Sequence, residues 1–314
     1  MSHLITSHFS RFCRPALRPL LALALPLALS ACGGGGAGDT TTPSGPQSIR
    51  IDFAAKAGAQ DAKCGTTLTG LGADKVSAEL NDLRFYVSQV ALINDKGESV
   101  PVTLTVNDWQ TKDVALIDLE DGTGACATQG TQGTNAQIVG TVAAGSYKGI
   151  QMTVGVPSSL NHTDYAVASK PMDIQALAWS WQAGRKFAKI EVNPVGGVAR
   201  PAPTAAAKTF NLHLGSTGCT GNPATGETVN CARPNRMTFS FANFNAATDK
   251  VVLDVAALFA GSTLGEDRGG AVGCMSGATD PECDAIFKAM KLDLVTGVPI
   301  NAGAAQTVFK VEAK

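Results

Sequence analysis

Histidine is scarce in this chain of 314 residues, with four in all, and charged residues make up only 16% of it. Two of the four, His3 and His8, lie in the first 31 residues, so the body of the chain keeps His162 and His213 alone. A catalytic triad would need one of these as its base, and no G-x-S-x-G elbow accompanies either, so hydrolase chemistry is disfavoured. The Gly-rich stretches lack the Lys-Ser/Thr ending of a phosphate loop and the strand-to-helix setting of a dinucleotide site. No cysteine pair has the spacing of a zinc site. After the N-terminus no stretch is long and apolar enough to span a bilayer.

The N-terminus is written as an export signal. Arg11, Arg14 and Arg18 precede the apolar run "LLALALPLALSA", and no acidic residue appears before Asp39. The run ends in "LSAC", which reads as a lipobox with Cys32 lipidated as the first mature residue. Residues 1–31 are therefore expected to be a lipoprotein signal peptide and 32–47 a flexible Gly/Ser/Thr/Pro tether holding the body to a membrane through its lipid. Residues 48–314 are expected to form one all-β domain. Without the signal the chain carries 22 basic and 26 acidic residues, a net charge of about −4 that makes nucleic acid an unsuitable partner. The Pro-, Gly- and Ala-rich stretch 193–208 reads as a surface loop inside that domain.

The cysteines agree with export to a periplasm or cell surface. With Cys13 in the signal and Cys32 acylated, six remain, an even number suited to an oxidising compartment. Local spacing favours Cys219 with Cys231 and Cys274 with Cys283, which leaves Cys64 for Cys126.

Strand-length alternating runs fill the body, among them "QSIRIDFAAKAG", "LNDLRFYVSQVALIN", "KTFNLHLGS" and "QTVFKVEAK". Turn residues separate them, and the pattern predicts a mainly β protein, an antiparallel β-sandwich or barrel-like single domain with one or two short helices. "DPECDAIFKAMKLD" reads as one helix, with Asp280 as N-cap and Pro281 at the first position; "LDVAALFAG" reads as a further short turn. "DLEDGTGAC" holds carboxylates beside a glycine without calcium-loop spacing and reads as a surface turn.

Imidazole is the commonest protein metal ligand, yet His162 falls in a loop and His213 in a strand, and only the fold could bring them together. Two ordinary histidines, one exposed and one hydrogen-bonded in the sheet, are the plain alternative. Trp179 and Trp181 in "AWSWQ" are two apart, so a strand would put both rings on one side; as unmodified indoles they have a donor N–H and no lone pair for a metal.

Taken in order, "YVSQVALINDKG", "VALIDLEDGTGAC", "GSYKGIQMTVGVPSSLNH", "WSWQAGRKF", "HLGSTGC" and "CMSGATDPEC" resemble the MbnP family, the four-Cys half of the so-called metallo-mystery pair, named for a member found beside methanobactin biosynthesis genes. In "AGRKF", Arg185 stands where the family usually has tyrosine. The resemblance implies a copper-binding protein outside the cytoplasm, not an enzyme. Its implied partner is a di-haem, MbnH-like protein similar to bacterial cytochrome c peroxidases, which oxidises a tryptophan to kynurenine on which copper binding depends. Carried onto this chain, His162 and His213 become the principal ligands of one copper ion, as Cu(I) or Cu(II). Trp179 or Trp181 becomes the modified residue, with Trp109 a third choice, and Met152 and Met172 become weak contacts or core residues. A structural or adhesive surface lipoprotein without a metal is the competing reading.

Overall fold

A computed structural model describes residues 45–314, which form one compact unit. The expected signal peptide, Cys32 and all but the last residues of the expected tether lie outside the described residues.

Two sheets make the body. One runs in the order Phe309–Ala313, Asp249–Asp254, Gln47–Ala57, Gln137–Val142, Thr103–Leu104; the other runs Phe210–Leu214, Ala188–Pro194, Val76–Asn94, Tyr147–Val154, Met237–Phe241. The core fills the space between them. Phe53 and Phe309 of the first sheet meet Phe85 of the second edge-on, at centroid distances of 6.0 and 5.6 Å, and Phe309 stacks on Phe239 at 4.6 Å. Such aromatic pairs add roughly 0.5–1.5 kcal/mol each beyond the area they bury. The sandwich expected from the alternating runs is thus the fold observed.

Its strands are not all antiparallel. Gln47–Ala57 runs parallel to Asp249–Asp254, with Phe53 opposite Val251. A parallel pair needs a long crossover, and here nearly the whole intervening chain supplies it.

Val76–Asn94 is the spine of the second sheet, 19 residues long. Its Phe85 faces the core, while Asp82, Arg84 and Tyr86, on alternate positions, face away and are buried all the same. Two segments cover that outer face. The turn after Val114–Asp118 brings Glu120 against Arg84, and the excursion 155–187 lays the Pro171 carbonyl on the Tyr86 hydroxyl at 2.9 Å. The "DLEDG" turn is therefore not a surface turn. Asp118 and Glu120 are buried, and Glu120 accepts backbone hydrogen bonds from Gly122 and Thr131.

Val255–Phe259 is a short helix capped by Asp254, whose Oδ1 accepts from the amides of Ala256 and Ala257. The helix expected near Asp280 spans Cys283–Met290 and begins later than expected. Asp280 caps the tight turn ahead of it instead, accepting from the Glu282 and Met275 amides. All three expected disulfides are present: Cys64–Cys126, Cys219–Cys231 and Cys274–Cys283. Cys219 and Cys231 face each other across a two-stranded hairpin of their own. In the stretch 193–208 the strand continues to Pro194, and residues 201–206 are exposed.

Candidate metal centre

His162 follows the single helical turn Ser158–Asn161 and is buried. Its Nδ1 lies 2.9 Å from the Gln182 carbonyl oxygen. A carbonyl can only accept, so Nδ1 carries the hydrogen and Nε2 is the unprotonated, accepting nitrogen. Burial lowers the pKa of this imidazole, and the Arg185 guanidinium lowers it further against the pull of the Gln182 bond, so the ring is neutral. Asn161 Nδ2 donates to Nε2 at 3.0 Å, and the disulfide-bonded Cys231 Sγ lies 3.4 Å from it.

Two residues hold that ring in place. Gly184 has φ +97°, and a Cβ there would sit 3.0 Å from His162 Cε1 and from the Asn161 amide, so a side chain would push the imidazole aside. Arg185 is buried and donates to the carbonyls of Leu160, Asn161 and Met172 at 2.8–3.0 Å. Its own amide donates to Asn161 Oδ1 at 2.8 Å. One guanidinium fork thus ties the His162 loop to the segment before the tryptophans.

His213 lies within Phe210–Leu214, paired in register with Lys189. Leu212 and Leu214 turn into the core, and His213 turns to the covered outer face. Its Nε2 is 2.7 Å from Glu191 Oε1. Glu191 also accepts from Lys189 and from Asn81 Nδ2 at 2.7 Å; Lys189 in turn pairs with Asp82, which Arg84 grips with two N–H groups. Burial alone would raise the Glu191 pKa, but His213 and Lys189 outweigh it and bring it down to about 2. Burial lowers the His213 pKa in spite of Glu191. The pair is a neutral imidazole donating Nε2–H to a carboxylate. Among the described residues no group bonds its Nδ1.

Trp179 stands in the short strand Ala178–Ser180, its ring against Gly215, where a Cβ would come within 2.5 Å of the indole. It lines a cleft of about 340 Å³ with Gln182, Ser216, Cys219 and Met275. A larger cleft of about 580 Å³, lined by Asn161, His162, Ser216 and Cys231, adjoins it. Ser216 and the Cys219–Cys231 disulfide belong to both. Trp181 falls in the turn after the strand, so the two indoles do not continue one strand face as expected. Trp109 packs beside Gly133 on another part of the body. Met152 and Met172 are core residues, and the methionine that lines the tryptophan cleft is Met275.

The fold therefore gathers His162, Trp179 and one disulfide around two joined clefts. His213, two residues from the glycine under Trp179, keeps a separate set of partners and lines neither cleft. The two imidazoles do not share a cleft: each has one nitrogen fixed by an acceptor, while the second nitrogen of His162 accepts from Asn161 and that of His213 is unbonded among the described residues. Asn161, Gln182, Glu191 and Met275 were not singled out from the sequence.

The sequence model of the family described as MbnP matches residues 46–276. The chain belongs to the MbnP family. The solved structure of MbnP from Methylosinus trichosporium is similar to it, with 39% identity and a TM-score of 0.80 over 85% of this chain and 99% of that one. No curated protein matches. Family membership extends across both clefts, His162, His213 and all three disulfides but one half-cystine, since residue 276 falls before Cys283.

Proposed function

We propose that this MbnP-family protein binds one copper ion outside the cytoplasm, in a role of copper capture or handling, and that it is not an enzyme. His162 through Nε2 and His213 through Nδ1 are the ligating nitrogens, and Trp179 is the residue oxidised to kynurenine. The observation that supports this reading most is the complementary fixing of the two rings: the Gln182 carbonyl takes the hydrogen of one, and Glu191 that of the other.

Oxidation of the indole breaks its C2–C3 bond and consumes two peroxide molecules, each giving one oxygen atom to the ring and leaving as one water. Hydrolysis then releases the C2 carbon as formate and leaves an aryl amine and a ketone, groups with lone pairs that indole lacks. A di-haem, MbnH-like partner is the proposed oxidant carrier, and the Trp179 cleft at the surface is where it would reach the ring. Copper at this site is bound cargo, held by imidazole. The lipid on Cys32 would keep the protein at a membrane in the periplasm or at the cell surface; the three disulfides fit such an oxidising compartment.

The test is co-production with the di-haem partner, followed by intact mass and metal analysis. One oxygen gained and one carbon lost, mapped to Trp179, with one copper per chain, is the expected result. Stoichiometric copper retained by the His213→Ala protein would overturn it. The separate surroundings of His213 favour the alternative of a structural or adhesive surface protein; that reading gains if neither single histidine change alters metal content.

A further inference from the structure

Of the three bridges, one is open to attack from outside. Cys126, Cys274 and Cys283 are fully buried and Cys64 is 9% exposed, whereas Cys219 and Cys231 are only half-buried. Each of these two also lines a cleft, Cys219 that of Trp179 and Cys231 that of His162. Thiol–disulfide exchange needs a thiolate to reach one of the sulfurs, so access selects this bridge over the other two.

The bridge is not all that holds its hairpin together. It joins Thr217–Thr220 to Asn230–Arg233, and the same strands pair Thr217 with Arg233 and Thr220 with Asn230 on either side of the cysteines. Arg233 Nε donates to Thr217 Oγ1 at 2.8 Å, and Ser216 Oγ donates to the Pro234 carbonyl at 3.0 Å at the base. Opening the S–S bond therefore leaves two thiols facing each other on paired strands.

A third donor already points at them. Nε2 of His162, the unprotonated nitrogen of that ring, is 3.4 Å from Cys231 Sγ, and the ligand atoms of His162, Cys219 and Cys231 all lie within 4.8 Å of one another. Joined as a disulfide the sulfurs are not thiolate ligands; separated, they make with the imidazole a soft set of two sulfurs and one nitrogen. A metal there displaces the Asn161 amide from Nε2. The other bridges have a carboxylate beside them, Glu120 and Asp280, which is a harder donor, and burial closes both.

We propose that Cys219–Cys231 is a reducible bridge and that its two thiols form, with His162, a binding site for a soft metal ion of the Cu(I) class. The reductant is a dithiol. Its two sulfurs close to a disulfide, and the two electrons and two protons it loses appear in the thiols of Cys219 and Cys231, which release those protons to water when the metal binds. The site shares His162 with the copper reading but needs neither His213 nor an altered tryptophan, so either can fail without the other.

The test uses the full chain produced without any partner protein, treated with dithiothreitol under native conditions and freed of it without air. One portion is alkylated with iodoacetamide and mapped by mass spectrometry, and the other is titrated with Cu(I) against a coloured chelator. Among the cysteines of the three bridges, alkylation of Cys219 and Cys231 alone is expected, with a Cu(I) affinity about tenfold or more above that of the oxidised chain. His162→Gln, which keeps both thiols, should lose that gain, and His213→Gln should keep it. Cys219→Ser with Cys231→Ser should bind equally before and after the treatment. No alkylation of this pair, earlier alkylation of a buried bridge, equal affinity of the oxidised and reduced chains, or a gain lost with His213 rather than with His162 overturns the proposal.

Discussion

His213 donates its Nε2 hydrogen to Glu191 Oε1 at 2.7 Å, and Glu191 is at the same time the counter-ion of the buried Lys189. One carboxylate thereby sets an imidazole tautomer and neutralises an ammonium group. Glu191→Gln keeps the shape and removes the charge. It should weaken copper binding by about 10–100-fold, the range for lost outer partners of metal-bound histidine. It should also destabilise the fold by roughly 3–5 kcal/mol, the range for breaking a buried ion pair. A competition titration against a copper chelator and urea unfolding of the metal-free protein measure the two separately.

Arg185 offers a second test, since its guanidinium is buried with no carboxylate bonded to it and satisfies three carbonyls. Arg185→Ala orphans the Asn161 and Met172 carbonyls, since Thr163 still donates to Leu160, and a loss of about 3–5 kcal/mol is expected from two unsatisfied buried acceptors. Arg185→Lys keeps the charge without the fork and should lose less. Urea denaturation ranks the variants, and a moved His162 imidazole resonance in the lysine variant would report the loosened loop.

Asp118 makes stability depend on pH in the unusual direction. Burial, helped by the neighbouring Glu120 and opposed by Arg84, pushes its pKa up to about 8. The unfolded chain releases this proton near pH 4 while the folded chain keeps it to about 8. Between those values the folded state binds more protons, so this group's contribution falls as pH rises, by up to about 1.4 kcal/mol per pH unit. Asp118→Asn should flatten the stability profile over that window and stabilise the protein at its alkaline end. Unfolding free energies across the window, wild type minus variant, decide it; a difference that does not change with pH would refute the assignment.

The Cys64–Cys126 bridge, 62 residues apart in sequence, anchors the segment that covers the outer face of the second sheet. Cys64→Ala with Cys126→Ala should cost about 4 kcal/mol on the loop-entropy estimate. Thermal unfolding measures the loss, and the Glu120 region should gain faster amide exchange.

Much of this was legible in the sequence because strands here obey a simple period. "QSIRIDFAAKAG" and "KTFNLHLGS" became Gln47–Ala57 and Phe210–Leu214, and pairing cysteines by proximity gave the right bridges. What stayed hidden depends on which segment lies over which face. Lys189 and Glu191, two apart in "AKIEV", look like the wet side of an edge strand, yet both are buried and bonded to Asp82, Asn81 and His213. Asp118 and Glu120 passed for a turn for the same reason. Trp181 left its predicted strand because the chain bends after Ser180, a tertiary choice that a period of two does not encode.

The parallel pairing of Gln47–Ala57 with Asp249–Asp254 has a temporal consequence. Gln47–Ala57 is made before every other strand of the body yet is an interior member of its sheet, and its flanking neighbour on one side is made almost last. Until that late arrival, the early strand carries an open row of amides and carbonyls, so the nascent molecule needs shielding from its own kind for most of its synthesis.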